Sequence, residues 1–318
     1  MYHRIANVDI DPWELAVSPE NFEEQLKVLK QLYKPVHVDE LVTQLHSGSI
    51  LPKSVCLTFD DGYRDNYMIA KPLLEKYQCP AVFYIPTQYI GQEKKFWWDE
   101  LQEIVLTSGK LPPRLSVIIN KERFDFAIDH EAQLTPEQWN KHKVWVWPDE
   151  PPTIRCSLYL ALWEKLKPLP YQQIQEVLDY IKTWAGFKQA PGTEDFPMTN
   201  EQLAELTDHP WIATGIHTVS HPALSFHSKS VQQDEITGCR RYLDHHPGKP
   251  SATIAYPYGD YNDLTLSVVQ EQQLKAGFTT QSISVTRKAN PFRLGRFQVK
   301  NWNGPEFTAH LSRWVHEF

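Results

Sequence analysis

The 318-residue chain has no apolar run long enough to cross a bilayer, so no transmembrane span is read from it. It has few cysteines, and Cys56, Cys79, Cys156 and Cys239 lie far apart with no CxxC. That spacing argues against a cysteine-built zinc site or a disulfide framework and reads as four small core hydrophobes. It has no Lys/Arg tract, and its formal charge is −7, so neither a local nor a global attraction draws it to nucleic acid. No internal repeat and no low-complexity segment occurs. The opening residues "MYHRIANVDIDPWELAV" lack the basic and apolar regions of a secretory signal, which gives the expectation of a cytoplasmic location.

What the chain does have is aromatic rings, with 11 Trp and 14 Tyr; many must be core, and a carbohydrate site would also use exposed rings, so the count by itself decides nothing. Its order of elements is more informative. "SPENFEEQLKVLKQLY" predicts a helix capped by Ser18, with Pro19 in its first turn and Phe22, Leu26, Leu29 and Tyr33 on one face. "SVCLTF" (54–59) and "AVFYI" (81–85) read as buried strands separated by a helical stretch. From about 91 to 195 the pattern changes to "WWDELQEIVL", "CSLYLALWEKL" and "YQQIQEVLDYIKTW", all helical, around a possible hairpin in "PPRLSVIINKERFDFAI". This block is expected to be a mainly helical subdomain inserted in a single catalytic domain spanning 1–318. After it, alternation resumes. A capping box opens "TNEQLAEL", then come a strand "WIATGI", a helix, a strand "ATIAY", a helix, strands near "GFTTQSI" and "LGRFQV", and a terminal helix opened by Pro305. Strands separated by helices imply parallel pairing, in a barrel or a doubly wound sheet.

Three polar clusters each follow a predicted strand. Asp60 and Asp61 follow "VCLTF", His217 and His221 follow "WIATGI", and "YPYGDYN" follows "ATIA". In a parallel α/β fold all three reach the carboxyl end of the sheet, where such folds place their sites. Singly they are weak signals. An HxxxH spacing is close to chance in a chain with 13 histidines, and an Asp pair at a strand end is often a helix cap beside a solvated carboxylate. Together they suggest two imidazoles and one carboxylate on a catalytic cation, with the second aspartate left as base on a water. Such a cation also offsets the repulsion between Asp60 and Asp61.

These residues resemble the polysaccharide deacetylase family, also called the NodB-homology or carbohydrate esterase 4 family. "LTFDDGY", "HTVSHP" and "AYPYG" look like its first three motifs, in order, and the resemblance covers roughly residues 50–300 apart from the insertion. "YH" near the start and "FWWDEL" look closest to members made alongside surface-polysaccharide enzymes. The resemblance implies a distorted (β/α) barrel of about seven strands and removal of an N-acetyl group from an amino sugar or glycan. Carried over, Asp60 is the base, Asp61, His217 and His221 hold the metal, and the Tyr258 backbone N–H helps bind the oxyanion, with Pro257 and Gly259 shaping that turn. The metal is expected to be zinc, with cobalt, nickel or iron suiting the same donors.

Two departures stand out. The family's third motif begins with an arginine that orients the base, and here that position is Ala255; Arg296 is the candidate replacement, or else a plain salt bridge. The C-terminal Leu-x-Leu-His motif that supplies the general acid is missing from "FQVKNWNG", which leaves His3 as a candidate, with simple packing as its alternative, and His227, whose loop could fold over the site, as a weaker one. Trp97, Trp98 and Tyr256 are candidates for stacking on sugar rings, against the plainer reading of Trp97 and Trp98 as anchors of the insertion. Rival readings are an amide or cyclic-amide hydrolase of the same fold and a non-catalytic glycan-binding relative. The expected partner is an N-acetylated sugar or glycan, and oligomeric state stays open.

Overall fold

Short runs of β-branched and aromatic residues alternate with amphipathic stretches, and the strands and helices follow that alternation. The computed structural model describes residues 1–188, 195–248 and 250–316; residues 189–194 of the expected insertion lie outside the described residues. The strands that concern the site are β1 (Arg4–Ile5), β2 (Leu57–Phe59), β3 (Ala81–Ile85), β4 (Ile212–Ile216), β5 (Thr253–Ala255) and β6 (Ala276–Phe278). Strands β2 to β6 form one parallel sheet in the order β6-β5-β4-β3-β2. Parallel neighbours need crossovers. Helices α1 (Pro19–Leu32), α2 (Val38–His46), α3 (Lys71–Tyr77), α4 (Asn200–Thr207), α5 (Lys229–Leu243), α6 (Asp263–Glu271) and α7 (Gly304–His316) lie between or flank the strands in sequence.

The sheet is buried on both faces, which is why its strands read as unbroken apolar runs. Phe59, Phe83 and Ile85 pack in one cluster with Phe22, Leu26 and Leu29 of α1. Val82, Tyr84, Ala255 and Phe278 pack in another with Val38, Val42 and Leu45 of α2. Each such side chain contributes roughly 1.5–3 kcal/mol on burial. With Phe59 directed toward α1, the period-two alternation turns Thr58 and Asp60 to the opposite face.

The regular sheet has five strands rather than about seven, and the curl is completed by irregular chain. On one side Tyr2 pairs with Phe59 through a single parallel bridge; on the other Leu294 pairs with Phe278 in the same way. The two sides meet where Val299 N–H donates to Met1 O at 2.9 Å. Neither flank becomes a long strand. β1 leaves β2 after Tyr2 to pair with Ala16–Val17. Gly295 presses against neighbouring backbone so closely that a Cβ would lie 2.3 Å from Ile283 O. The expected strand 54–59 also splits, because Ser54–Val55 pairs with Lys34–Pro35 while Leu57–Phe59 pairs with β3. Helix α2 escaped the sequence reading; it is short and starts at His37 with no side-chain cap.

By contact density the chain forms two units, Met1–Asn7 with Leu15–Glu93 and Pro197–Phe318, and Val8–Glu14 with Lys94–Phe196. The second unit contains an antiparallel hairpin (Arg114–Ile119 with Glu122–Ala127) and helices Trp97–Gln102, Pro136–Val144, Ile154–Leu166 and Tyr171–Ala185. Gly186 caps the last of these at φ 61°. Arg155, fully buried, donates to the Glu131, Ala132 and Ser108 carbonyls, tying the helix Ile154–Leu166 to the chain on both sides of the hairpin. Among the described residues no helix is long and apolar enough to cross a membrane.

Candidate active site

Asp61 sits two residues beyond β2, His217 directly after β4, and His221 one turn further on. All three are buried. Their ligand atoms lie within 4.8 Å of one another. His217 Nε2 is 3.5 Å and His221 Nε2 3.3 Å from Asp61 Oδ1. Asp61 Oδ1 nevertheless has no hydrogen-bond partner among the described residues. A buried carboxylate oxygen faced by two imidazole nitrogens and bonded to neither is the arrangement a cation would complete. His217 Nδ1 lies 2.7 Å from Ala255 O, a bond that makes Nδ1 the protonated nitrogen and leaves Nε2 its lone pair. Burial pushes the His221 imidazole down to about 3, so it is neutral near pH 7, as a ligand must be. Burial alone would raise the Asp61 carboxyl, but His217 and His221 hold it below the usual carboxylate range. The donor set therefore fits a divalent cation such as Zn2+.

The loops that carry these groups are locally strained. Asp61, Thr218, His221 and Tyr258 all have left-handed backbone, at φ 73°, 68°, 60° and 58°. Such conformations cost of order 1 kcal/mol or more for a side-chain-bearing residue and persist where surrounding contacts enforce them. The contacts here are specific. Thr218 Oγ1 accepts from His221 N–H at 3.0 Å. Glu235, reaching up from α5, accepts from the Val219 and Ser220 N–H groups, both at 2.8 Å, and from the Ser220 hydroxyl at 2.6 Å. In the third loop Gly259 has φ +67°, and a Cβ there would lie 2.2 Å from Thr280 Oγ1, so no larger residue fits. The Tyr258 ring meets the His221 ring edge-on, centroids 4.5 Å apart.

Asp60, next to Asp61 in the chain, is held in a bidentate pair with Arg296. Nη1 to Oδ1 and Nη2 to Oδ2 are both 2.7 Å. Arg296 also donates to Thr58 Oγ1 and Thr279 O, at 3.2 and 3.0 Å, so its planar fork is fixed on several sides. Burial would raise the Asp60 carboxyl; the guanidinium overrides it and holds the group well below its ordinary value.

His3 is half-buried, its Nδ1 enclosed without a hydrogen-bond partner among the described residues. Burial pushes its imidazole down against the opposing pull of Asp61 and Asp60, which places it in their electrostatic neighbourhood. Trp97, Trp98 and Tyr256 are not brought to exposed positions. Trp97 and Trp98 are core residues of the second unit, in contact with Trp163 and Phe96 respectively. Tyr256 is fully buried and donates to Phe292 O at 3.0 Å. His227 is partly buried, in the loop that leads into α5.

Sequence reasoning missed Glu235. In "VQQDEITG" it looks like one more solvated helix carboxylate, and nothing local marks it. Replacing it with Ala removes the acceptor that holds the His217–His221 turn. Divalent-cation affinity is expected to fall about 10- to 100-fold, read by competition with a chromophoric chelator.

A family model for polysaccharide deacetylases matches residues 48–108 and 173–277. The chain is 28% identical over 316 residues to the YxkH protein of Bacillus subtilis (strain 168), covering 98% of this chain and 74% of that one. It is 22% identical over 300 residues to the poly-beta-1,6-N-acetyl-D-glucosamine N-deacetylase of Staphylococcus aureus (strain MSSA476), covering 94% and 72%. Among solved structures, Streptococcus pyogenes deacetylase PplD in complex with acetate shares the fold at TM-score 0.54 and 22% identity, over 99% of this chain and 96% of that one. IcaB from Ammonifex degensii does so at TM-score 0.54 and 17% identity, over 99% and 94%. With more than half of its length matched by the family model, and with the aspartate and histidine motifs on the loops just described, the chain belongs to the polysaccharide deacetylase family.

Proposed function

We propose that this protein hydrolyses the acetamide of an N-acetylated amino sugar within a glycan, with a divalent cation held by Asp61, His217 and His221. The observation that carries the proposal is the buried Asp61 oxygen left unbonded opposite two imidazole nitrogens. The N-deacetylase activity named for the Staphylococcus aureus relative supports the substrate class.

When bound, the cation supplies Lewis acidity for the acetyl carbonyl and for the attacking water, and zinc is the first choice for such donors. The chain's own groups do the rest. Asp60, ionised and aimed by Arg296, takes the proton of the attacking water. The Tyr258 N–H donates to the oxyanion as the carbonyl carbon becomes tetrahedral. His3, in the imidazolium form that Asp61 and Asp60 favour against its burial, gives a proton to the departing nitrogen and ends neutral. Arg296 thus fills the role vacated at Ala255, and His3 that of the absent C-terminal histidine. The water oxygen bonds to the acetyl carbon, the C–N bond breaks, and acetate and a free amine leave. The helical second unit is read as an insertion in one catalytic domain.

Incubation with N-acetylglucosamine oligosaccharides is expected to release acetate, to stop on chelation and to resume on adding Zn2+. Cyclic amides tested alongside are expected to stay intact. Hydrolysis that survives complete removal of metal, or cleavage of cyclic amides in place of acetamides, would replace this reading with that of an amide hydrolase of the same fold.

A further inference from the structure

Two residues of the stretch "DDGYRDN" take no part in the chemistry so far, yet both are buried, Asp65 at 2% and Asn66 at 0% exposure. Their side chains close on the segment that carries His3. Asp65 Oδ1 accepts from Ile5 N–H at 3.0 Å, and Oδ2 accepts from Arg4 Nε at 3.0 Å. Asn66 Nδ2 donates to His3 O at 2.8 Å and to Asp65 Oδ1 at 2.8 Å. The Arg4 guanidinium also covers the Tyr63 ring at 4.7 Å. The backbone on the far side of His3 is thus gripped from the same loop that places Asp60 and Asp61.

The grip matters because the sheet does not supply one. Tyr2 is laddered to β2 through Tyr2 N–H to Thr58 O at 2.8 Å and Asp60 N–H to Tyr2 O at 3.0 Å. From Arg4 onward the chain bonds elsewhere, to Leu15 O and Val17 O. His3 stands at this change of partner, and its carbonyl is taken by Asn66. Stability alone gives little reason for such a device. Burial pushes the Asp65 carboxyl up even with Arg4 against it, and a buried ion pair is commonly no more stabilising than apolar packing of the same volume. What the pair supplies is direction, since each bond has a fixed geometry.

We infer that Asp65 and Asn66 are positioning residues that hold His3 at the leaving nitrogen, so that amide cleavage depends on them while the cation site does not. The inference rests on the reading of His3 as proton donor. A donor displaced by about 1 Å loses roughly 10²-fold in rate.

The test compares Asp65→Asn, Asn66→Ala and His3→Ala on two substrates, with bound metal measured in each. An N-acetylglucosamine oligomer needs its amine protonated. 4-Nitrophenyl acetate leaves as a phenolate and does not. The expected result is a fall of about 10²-fold in acetamide turnover for all three variants, with KM, bound metal and aryl-ester turnover unchanged. Loss of both activities together, or loss of metal, would make the clamp merely structural and overturn the inference. If His3→Ala shows the amide-selective loss and the other two do not, the clamp alone is wrong. If His3→Ala shows no selectivity, the donor role falls and the clamp with it. Should Asp65→Asn fail to fold, Asn66→Ala decides the matter, because it removes only the bonds to His3 O and Asp65.

Discussion

Asp60→Asn is expected to lower acetate release by about 10²–10⁴-fold while leaving one equivalent of divalent metal bound. The two parts of this result belong together. Asp60 and Asp61 are adjacent in sequence, but their side chains diverge, Asp61 toward the histidines and Asp60 into the fork of Arg296. An asparagine of the same size keeps the packing and cannot take a proton from water. Asp61→Asn should instead lose metal and activity together. Acetate assays and metal analysis on the two variants separate the roles, and equal metal loss in both would refute the division of labour between the two aspartates.

Arg296→Met should be nearly as damaging, in a pH-dependent way. The arginine and its partner are both only 4% exposed as side chains. Removing one member of such a pair leaves an uncompensated buried charge, a cost of about 3–5 kcal/mol measurable by denaturant unfolding. The sign of the pH effect follows from Asp60. With Arg296 present its carboxyl is held below the ordinary 3.8, so its contribution to stability is present above that value and fades only as pH falls through the lower folded one. Without Arg296 the burial that opposes ionisation is no longer offset by the guanidinium, and the group is expected to move up. The base then protonates as pH drops from neutrality, and the acid limb of kcat/KM moves to higher pH. Arg296→Lys keeps the charge but loses the fork, and should fall between. An acid limb that stays in place in Arg296→Met would show that the pair does not govern the base.

The legible part of this molecule was the part with local chemistry. Strand ends followed by polar clusters announced the DD, HxxxH and YPYG loops, because a parallel sheet needs apolar runs and its carboxyl ends collect the loops. Arg296 was reached only through the resemblance, as the candidate to replace the arginine missing at Ala255. The curled parallel sheet itself followed from alternation of strand and helix. Other features depended on partners distant in sequence. Glu235 and Asp65 look like ordinary surface carboxylates until α5 and the loop after β2 bring them onto backbone N–H groups. The two flanks of the sheet stay irregular although "LGRFQV" reads as a strand, since Tyr2 and Leu294 are each held by a single bridge. The rings of Trp97 and Trp98 suited a sugar platform by type; their burial, at 1% and 6% exposure, comes from Phe96 and Trp163 packing on them.

The central claim is that one cation joins residues about 150 positions apart in the chain, and anomalous scattering from a zinc-soaked crystal tests it most directly. The account predicts a single strong peak about 2.0–2.2 Å from Asp61 Oδ1, His217 Nε2 and His221 Nε2. Zinc bound elsewhere while those three atoms carry no peak would contradict it.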